Sequence, residues 1–155
     1  MAEAIAGSLG GEIQLKPLER LETTKGFDCI FIGFPIHQFT APPEIRKLAS
    51  SLDENQKIAL FITHAMKIER NDSAGSALWQ KVMIRIKMLF ARAYIAGIFD
   101  CMGELDQKAA NDLAASGIPM LEQFAALRPQ TIGHPDAADL EAAGRFARQI
   151  TRLLD

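Results

Sequence analysis

The chain has 155 residues, 48% of them hydrophobic and 23% charged, with a net charge of -2, which fits one domain large enough to bury its own core without metals or disulfides. A pI near 5.9 gives no electrostatic reason to expect nucleic acid as a partner. No apolar run approaches membrane-spanning length, the segments of a secretion signal are missing, and Cys29 and Cys101 are too few and too differently placed for a disulfide framework. The expectation is a cytoplasmic protein with no membrane partner.

Residues Met1 to Leu9 have helical composition, with Ile5 and Leu9 on one face and Gly10-Gly11 as a stop. A helix normally opens at a Ser, Thr, Asp or Asn cap, and here the periodic pattern starts at Met1 itself. Two readings follow: a frayed terminal helix, or a chain that continues upstream of Met1. Glu12 to Leu18 alternates Ile13, Leu15 and Pro17 against Gln14 and Lys16, which predicts a strand with one wetter face, confined by Pro17 to an edge or to its own end. Leu18 to Phe27 reads as polar connection.

Cys29 to Gly33 is a short continuous apolar run with β-branched members, the pattern of a parallel strand covered on both faces. A proline-bracketed loop, Phe34 to Ala41, follows, and Pro42-Pro43-Glu44 opens a helix to about Ser51 that buries Ile45 and Leu48. Ile58 to Thr63 predicts a second buried strand, ending in a polar loop to Asp72. Leu78, Val82, Ile86 and Leu89 mark a long helix from Asp72 or Ser73 to about Arg92. Tyr94 to Phe99 predicts a third buried strand, followed by helices over Gln107 to Ser116 and Met120 to Leu127 and a loop over Pro129 to Gly133. His134-Pro135-Asp136 opens a final helix whose inner face is Leu140, Phe146, Ile150 and Leu153. One feature is irregular. The strands at Glu12 and Cys29 follow one another without a helix, although parallel neighbours need a crossover.

Strand, loop and helix in this order make half of a βαβ unit, and in open α/β sheets ligands sit beyond the carboxyl ends of the strands. GFPIHQFTAPPEIRKL resembles the strand, flavin-ring loop and following helix of the flavodoxin-like family. IALFITHAM is similar to that family's next strand and second ring loop, IAGIFDCMGEL to its last strand and loop, and HPDAADLEAAGRFARQI to a closing helix. The resemblance runs over nearly the whole chain, residues 1–155, and implies a three-layer α/β fold with a parallel sheet in strand order 2-1-3-4-5 and FMN at its carboxyl edge.

The family opens with a strand and a Ser/Thr/Gly-rich turn that cradles the FMN phosphate at the mouth of the first helix. Ala2 to Leu9 resembles that first helix, and the strand and turn before it have no counterpart, so the resemblance implies an N-terminally incomplete domain. The missing strand belongs between the Glu12 and Cys29 strands, which accounts for the absent crossover. The sheet must then either pair those two strands directly or leave a slot that another chain can fill, with homodimerisation as one outcome.

A flavin needs apolar cover for its ring, backbone hydrogen bonds to its edge and an anion hole for its phosphate. The resemblance assigns the first two to Pro35, Ile36, His37, Gln38, Phe39 and Thr40, to Thr63, His64, Ala65 and Met66, and to Cys101, Met102 and Gly103 at the third strand end. The third is not in the sequence, so FMN binding by the chain as written is expected to be weak or absent. His37 and His64 with Asp100 or Cys101 make an alternative metal set, although no HxH or HxxxH spacing supports it and backbone-bonded loop histidines are the commoner case. Three functions follow in order: an FMN-dependent electron carrier or small flavin reductase, serving a redox partner protein or small electron acceptor; a cofactor-less flavodoxin-like scaffold acting by protein contact; and a metal-dependent hydrolase.

Overall fold

A computed structural model describes residues 1–65 and 73–154. The elements in order are α1 (Ala2–Ala6), a 3-10 turn (Leu18–Arg20), β1 (Ile30–Pro35), α2 (Pro43–Ser51), β2 (Lys57–His64), α3 (Ser73–Leu89), β3 (Tyr94–Met102), α4 (Gln107–Ala114), α5 (Pro119–Ala126), α6 (Arg128–Thr131) and α7 (Ala137–Leu154). The three strands form one parallel sheet in the order β1-β2-β3, with Ile30 opposite Ile58 and Pro35 opposite Thr63 on one side of β2, and Lys57 opposite Tyr94 and His64 opposite Met102 on the other. These are the last three positions of the expected sheet.

β2 is central because its sequence tolerates nothing else. Ile58, Ala59 and Leu60 are wholly buried and Ile62 nearly so, as an uninterrupted apolar run requires when both faces are covered. On one face Ile32, Phe34, Leu60 and Ile62 pack with Ile45, Ala49 and Leu52 of the α2 region and with Val82, Ile86 and Phe90 of the α3 region. On the other, Phe31, Phe61 and Phe99 meet Ile5 of α1 and Ala143 and Ala147 of α7. α1 lies so close to α7 that a β-carbon on Gly144 would fall 2.5 Å from Ser8 Oγ. The result is three layers, with the loops after all three strands at one edge.

The expected strand at Glu12 to Leu18 is not formed. Residues 12–17 are exposed and carry no strand, and no backbone hydrogen bond joins them to β1. The alternation of Ile13 and Leu15 is real, but a strand is held by its ladder. Between this segment and β1 lies a cavity of about 850 Å³ rather than a neighbouring strand. Of the two outcomes open to the sequence, direct pairing or a slot, the fold adopts the slot.

Smaller differences have local causes. β3 runs past Phe99 to Met102 because Ile62, Thr63 and His64 supply ladder partners to Asp100, Cys101 and Met102. Residues expected as a loop after Pro129 begin in a one-turn helix, Arg128–Thr131, which proline in a first turn permits. Leu153 is 72% exposed, and the inner face of α7 is carried by Ala143, Gly144, Ala147 and Ile150. No helix among the described residues is long and apolar enough to cross a membrane.

Candidate functional site

The carboxyl ends of the strands are stitched together by backbone bonds that continue beyond the sheet. Ile36 N–H donates to Thr63 O at 2.8 Å, Gly103 N–H to His64 O at 2.9 Å, and Glu104 N–H to His134 O at 2.9 Å. Gly103 is needed at its place, since a β-carbon there would lie 2.9 Å from Thr63 Cβ. The edge is thus a fixed rim formed by Pro35 and Ile36, Thr63 to Ala65, and Met102 and Gly103.

Above β1 the chain reverses in a two-residue turn. His37 and Thr40 exchange both backbone hydrogen bonds, at 2.9 and 3.1 Å, and the central residues Gln38 and Phe39 have φ of 50° and 60°. Two left-handed residues in a two-residue connection make a type I′ geometry, which Asn-Gly normally fills. Side chains with a Cβ in this region cost about 1–2 kcal/mol each. The conformation is held from outside: the Phe39 ring meets Phe124 of α5 edge-on at 5.6 Å, and Ala41 behind the turn is buried. Backbone strain of this kind concentrates at ligand clamps and active sites. Pro35, His37 and Gln38 are exposed on the rim, and Ile36, Phe39 and Thr40 are half-buried.

The other candidates separate onto the two faces of the sheet. His64 is buried on the α3 side, its Nε2 donating to Asp100 Oδ2 at 3.1 Å and its ring against Trp79 at a centroid distance of 4.4 Å. Cys101 is buried on the α1 and α7 side, where burial first, and then the carboxylates of Asp139 and Asp100, push its thiol up to about 12. It stays protonated at neutral pH and is no nucleophile there. Cys29 is likewise a free thiol, pushed up to about 11 mainly by burial. Met66 lies outside the described residues.

The metal set suggested by His37, His64, Asp100 and Cys101 does not assemble. Among the described residues, the group whose ligand atoms come within 4.8 Å of one another is His134, Asp136 and Asp139. Those atoms are engaged in closing the first turn of α7: Asp136 N–H donates to Asp139 Oδ2 at 3.0 Å, Asp139 N–H to Asp136 Oδ1 at 2.9 Å, and His134 Nδ1 lies 2.9 Å from Asp139 Oδ2. Two backbone donors satisfied reciprocally are a capping box. The backbone donor from Asp139 is the main reason the Asp136 carboxyl titrates below its ordinary range.

Sequence reasoning missed Thr131 altogether. It is buried, accepts from Leu105 N–H at 3.0 Å and donates to Arg128 O at 2.8 Å, so it ties the loop after β3 to α6. A threonine in a polar stretch carries no signal of such a role.

The α2 and α7 ends beside this rim are poorly suited to a phosphate. α2 opens with Pro42 and Pro43, which lack N–H groups, and with Glu44 in its first turn. α7 opens on the carboxylates of Asp136 and Asp139. Neither end offers the convergent N–H groups and neutral or positive surroundings that hold an oxyanion.

A family model described as a flavodoxin domain matches residues 1–148, and the chain belongs to that family. No curated protein matches it.

Proposed function

We propose that this is a flavodoxin-type redox protein whose carboxyl-edge rim receives the ring of a flavin, in the role of an electron carrier or small reductase for a partner protein or small acceptor. The observation that carries the reading is the type I′ turn at Gln38 and Phe39, a strained non-glycine reversal held at the strand ends. Bound there, the flavin supplies the electron-transfer chemistry. The chain's part is to cover the ring with Pro35 to Thr40, to present backbone N–H groups at its edge from the turn and from residues beyond β2 and β3, and to keep Cys101 protonated and out of reach below α7.

Because the α2 and α7 ends at this edge suit a phosphate poorly, ring contacts dominate the affinity. FMN and riboflavin, which shares the ring and lacks the phosphate, therefore bind weakly and alike. Titration of both, followed by quenching of flavin fluorescence and by the shape of the visible band, tests this. Comparable weak quenching by the two supports the reading. Quenching by neither up to millimolar ligand overturns it in favour of a cofactor-less scaffold that acts by protein contact, the reading which the prolines and carboxylates at the α2 and α7 ends also favour.

A further inference from the structure

We propose that the outer face of α3 docks the protein on an anionic lipid bilayer, with Ile84 and Met88 entering the interface and Lys81, Arg85 and Lys87 holding acidic headgroups around them. These residues lie in the second half of α3, whose following turn is tied to the amino end of β2 by Asn55 N–H donating to Arg92 O. The face is therefore remote from the carboxyl rim and independent of the flavin reading. It revises the expectation of no membrane partner, which spanning length alone supported: a face that lies on the bilayer surface needs no spanning length.

Charge sets α3 apart from the rest of the chain. Ser73 to Arg92 contains the cations Lys81, Arg85, Lys87 and Arg92 and no carboxylate, in a protein whose net charge is -2. Elsewhere helix cations meet an acid one turn away, as Lys108 meets Asp112 and Arg145 meets Glu141. The α3 cations are exposed and form no ion pair with a described residue. α2, which packs beside α3, adds exposed Arg46 and Lys47 against a single acid, Glu44. An uncompensated positive field on an otherwise acidic molecule is complementary to an anionic surface.

Apolar side chains stand at the apex of the same face. At about 100° per residue, Ile84 and Met88 point about 160° and 200° away from Ile86, and Arg85 and Lys87 point about 100° to either side. Ile86 is wholly buried, whereas Ile84 is 57% and Met88 71% exposed, and the latter two are neighbours one turn apart. The apolar ridge thus projects furthest, with cations on both flanks. A bilayer interface has the matching order: an apolar boundary below, and acidic headgroups at the depth to which long cationic stems reach back. Other partners fit this face less well. A second copy meeting it sets three cations against three. Nucleic acid is held by polar forks and aromatic stacking, and the apex offers neither. An acidic protein needs a pocket shaped to Ile84 and Met88, whereas a fluid interface accommodates them without one.

The test is co-sedimentation of the intact chain with vesicles of phosphatidylcholine alone, and of phosphatidylcholine with about one-third phosphatidylserine. Partition into the anionic vesicles is expected, with none into the neutral ones and a steep loss between about 0.1 and 0.5 M salt. Arg85→Gln and Lys87→Gln each weaken the partition about fivefold, the worth of one cation near an acidic surface. Ile84→Ser combined with Met88→Ser keeps every charge and still weakens it about tenfold. The native chain with the two vesicle types needs no variant, and circular dichroism checks that each exposed substitution leaves the fold intact. Failure of the native chain to bind anionic vesicles overturns the proposal, and so does equal binding to neutral ones, which marks non-specific adsorption. Undiminished binding by the doubly substituted chain, with release from the vesicles by polyglutamate, overturns it in favour of an acidic protein partner.

Discussion

His64 Nε2 donates to Asp100 Oδ2 across the ends of β2 and β3, and Trp79 of α3 lies against the imidazole. A polar side chain is thereby made part of the core at the point where the sheet gives way to its loops. Removing the ring leaves a cavity under Trp79, and His64→Ala is expected to lose about 2–3 kcal/mol of stability. Asp100→Asn keeps an acceptor at the same place and is expected to lose no more than about 1 kcal/mol. Urea unfolding of the two variants checks the contrast, and equal losses would show that the ring's packing counts for little.

The turn at Gln38 and Phe39 makes an opposite prediction. Asparagine tolerates the left-handed region better than glutamine, so Gln38→Asn should raise stability by about 0.5–1 kcal/mol. Phe39→Ala forfeits the edge-on contact with Phe124 and should lower it by about 0.5–1.5 kcal/mol. If the rim receives a flavin ring, only the second substitution weakens flavin quenching. Thermal melts and the riboflavin titration, run on the same samples, separate the effects.

Gly33 has no room for a side chain. A β-carbon there would sit 1.9 Å from Phe61 Cε2, because the phenyl ring crosses the strand at that residue. Gly33→Ala should therefore be destabilising by about 1–3 kcal/mol, and pairing it with Phe61→Leu should recover part of the loss. A double-mutant cycle in denaturant reads the coupling.

Cys101 gives the fold an alkaline limit. Its thiol is pushed up to about 12 in the folded chain from an ordinary 9.0, so above pH 9 the unfolded chain releases a proton that the folded chain keeps. Stability is fully present below the unfolded value and falls as pH rises from there toward the folded one. Denaturation midpoints measured at pH 8 and pH 10.5 should fall more for the native sequence than for Cys101→Ala.

Much of this architecture is legible in the residues, for identifiable reasons. The run from Ile58 to Ile62 has no polar residue to expose, and Pro42-Pro43-Glu44 can only open a helix, so β2 and α2 stand where their sequences place them. Asp100 and Cys101 look like loop, yet β2 offers them ladder partners and the strand continues. Residues 12–17 carry a true strand pattern and form no strand, because the partner that would complete it is not a local property. The site divides in the same way. The position of the Pro35 to Thr40 loop follows from strand, proline and helix order, whereas its I′ geometry depends on Phe124, far along the chain. The burial of His64 depends likewise on Trp79.

The layer that joins α1 to α7 sets an order of assembly. β1, β2 and β3 are neighbours in sequence as well as in the sheet, so residues 30–102 can complete their contacts early through short loops. α1 completes its contacts late: Phe31, Phe61 and Phe99 of the sheet are early neighbours of Ile5, but Ala143 and Ala147 lie near the far end of the chain. During synthesis, which proceeds from the amino end, Ile5 can rest on the sheet but waits for almost the whole polypeptide to emerge before α7 covers it. Through that interval α1 is open to chaperones and proteases, and the α1 and α7 layer is the last part of the molecule to close.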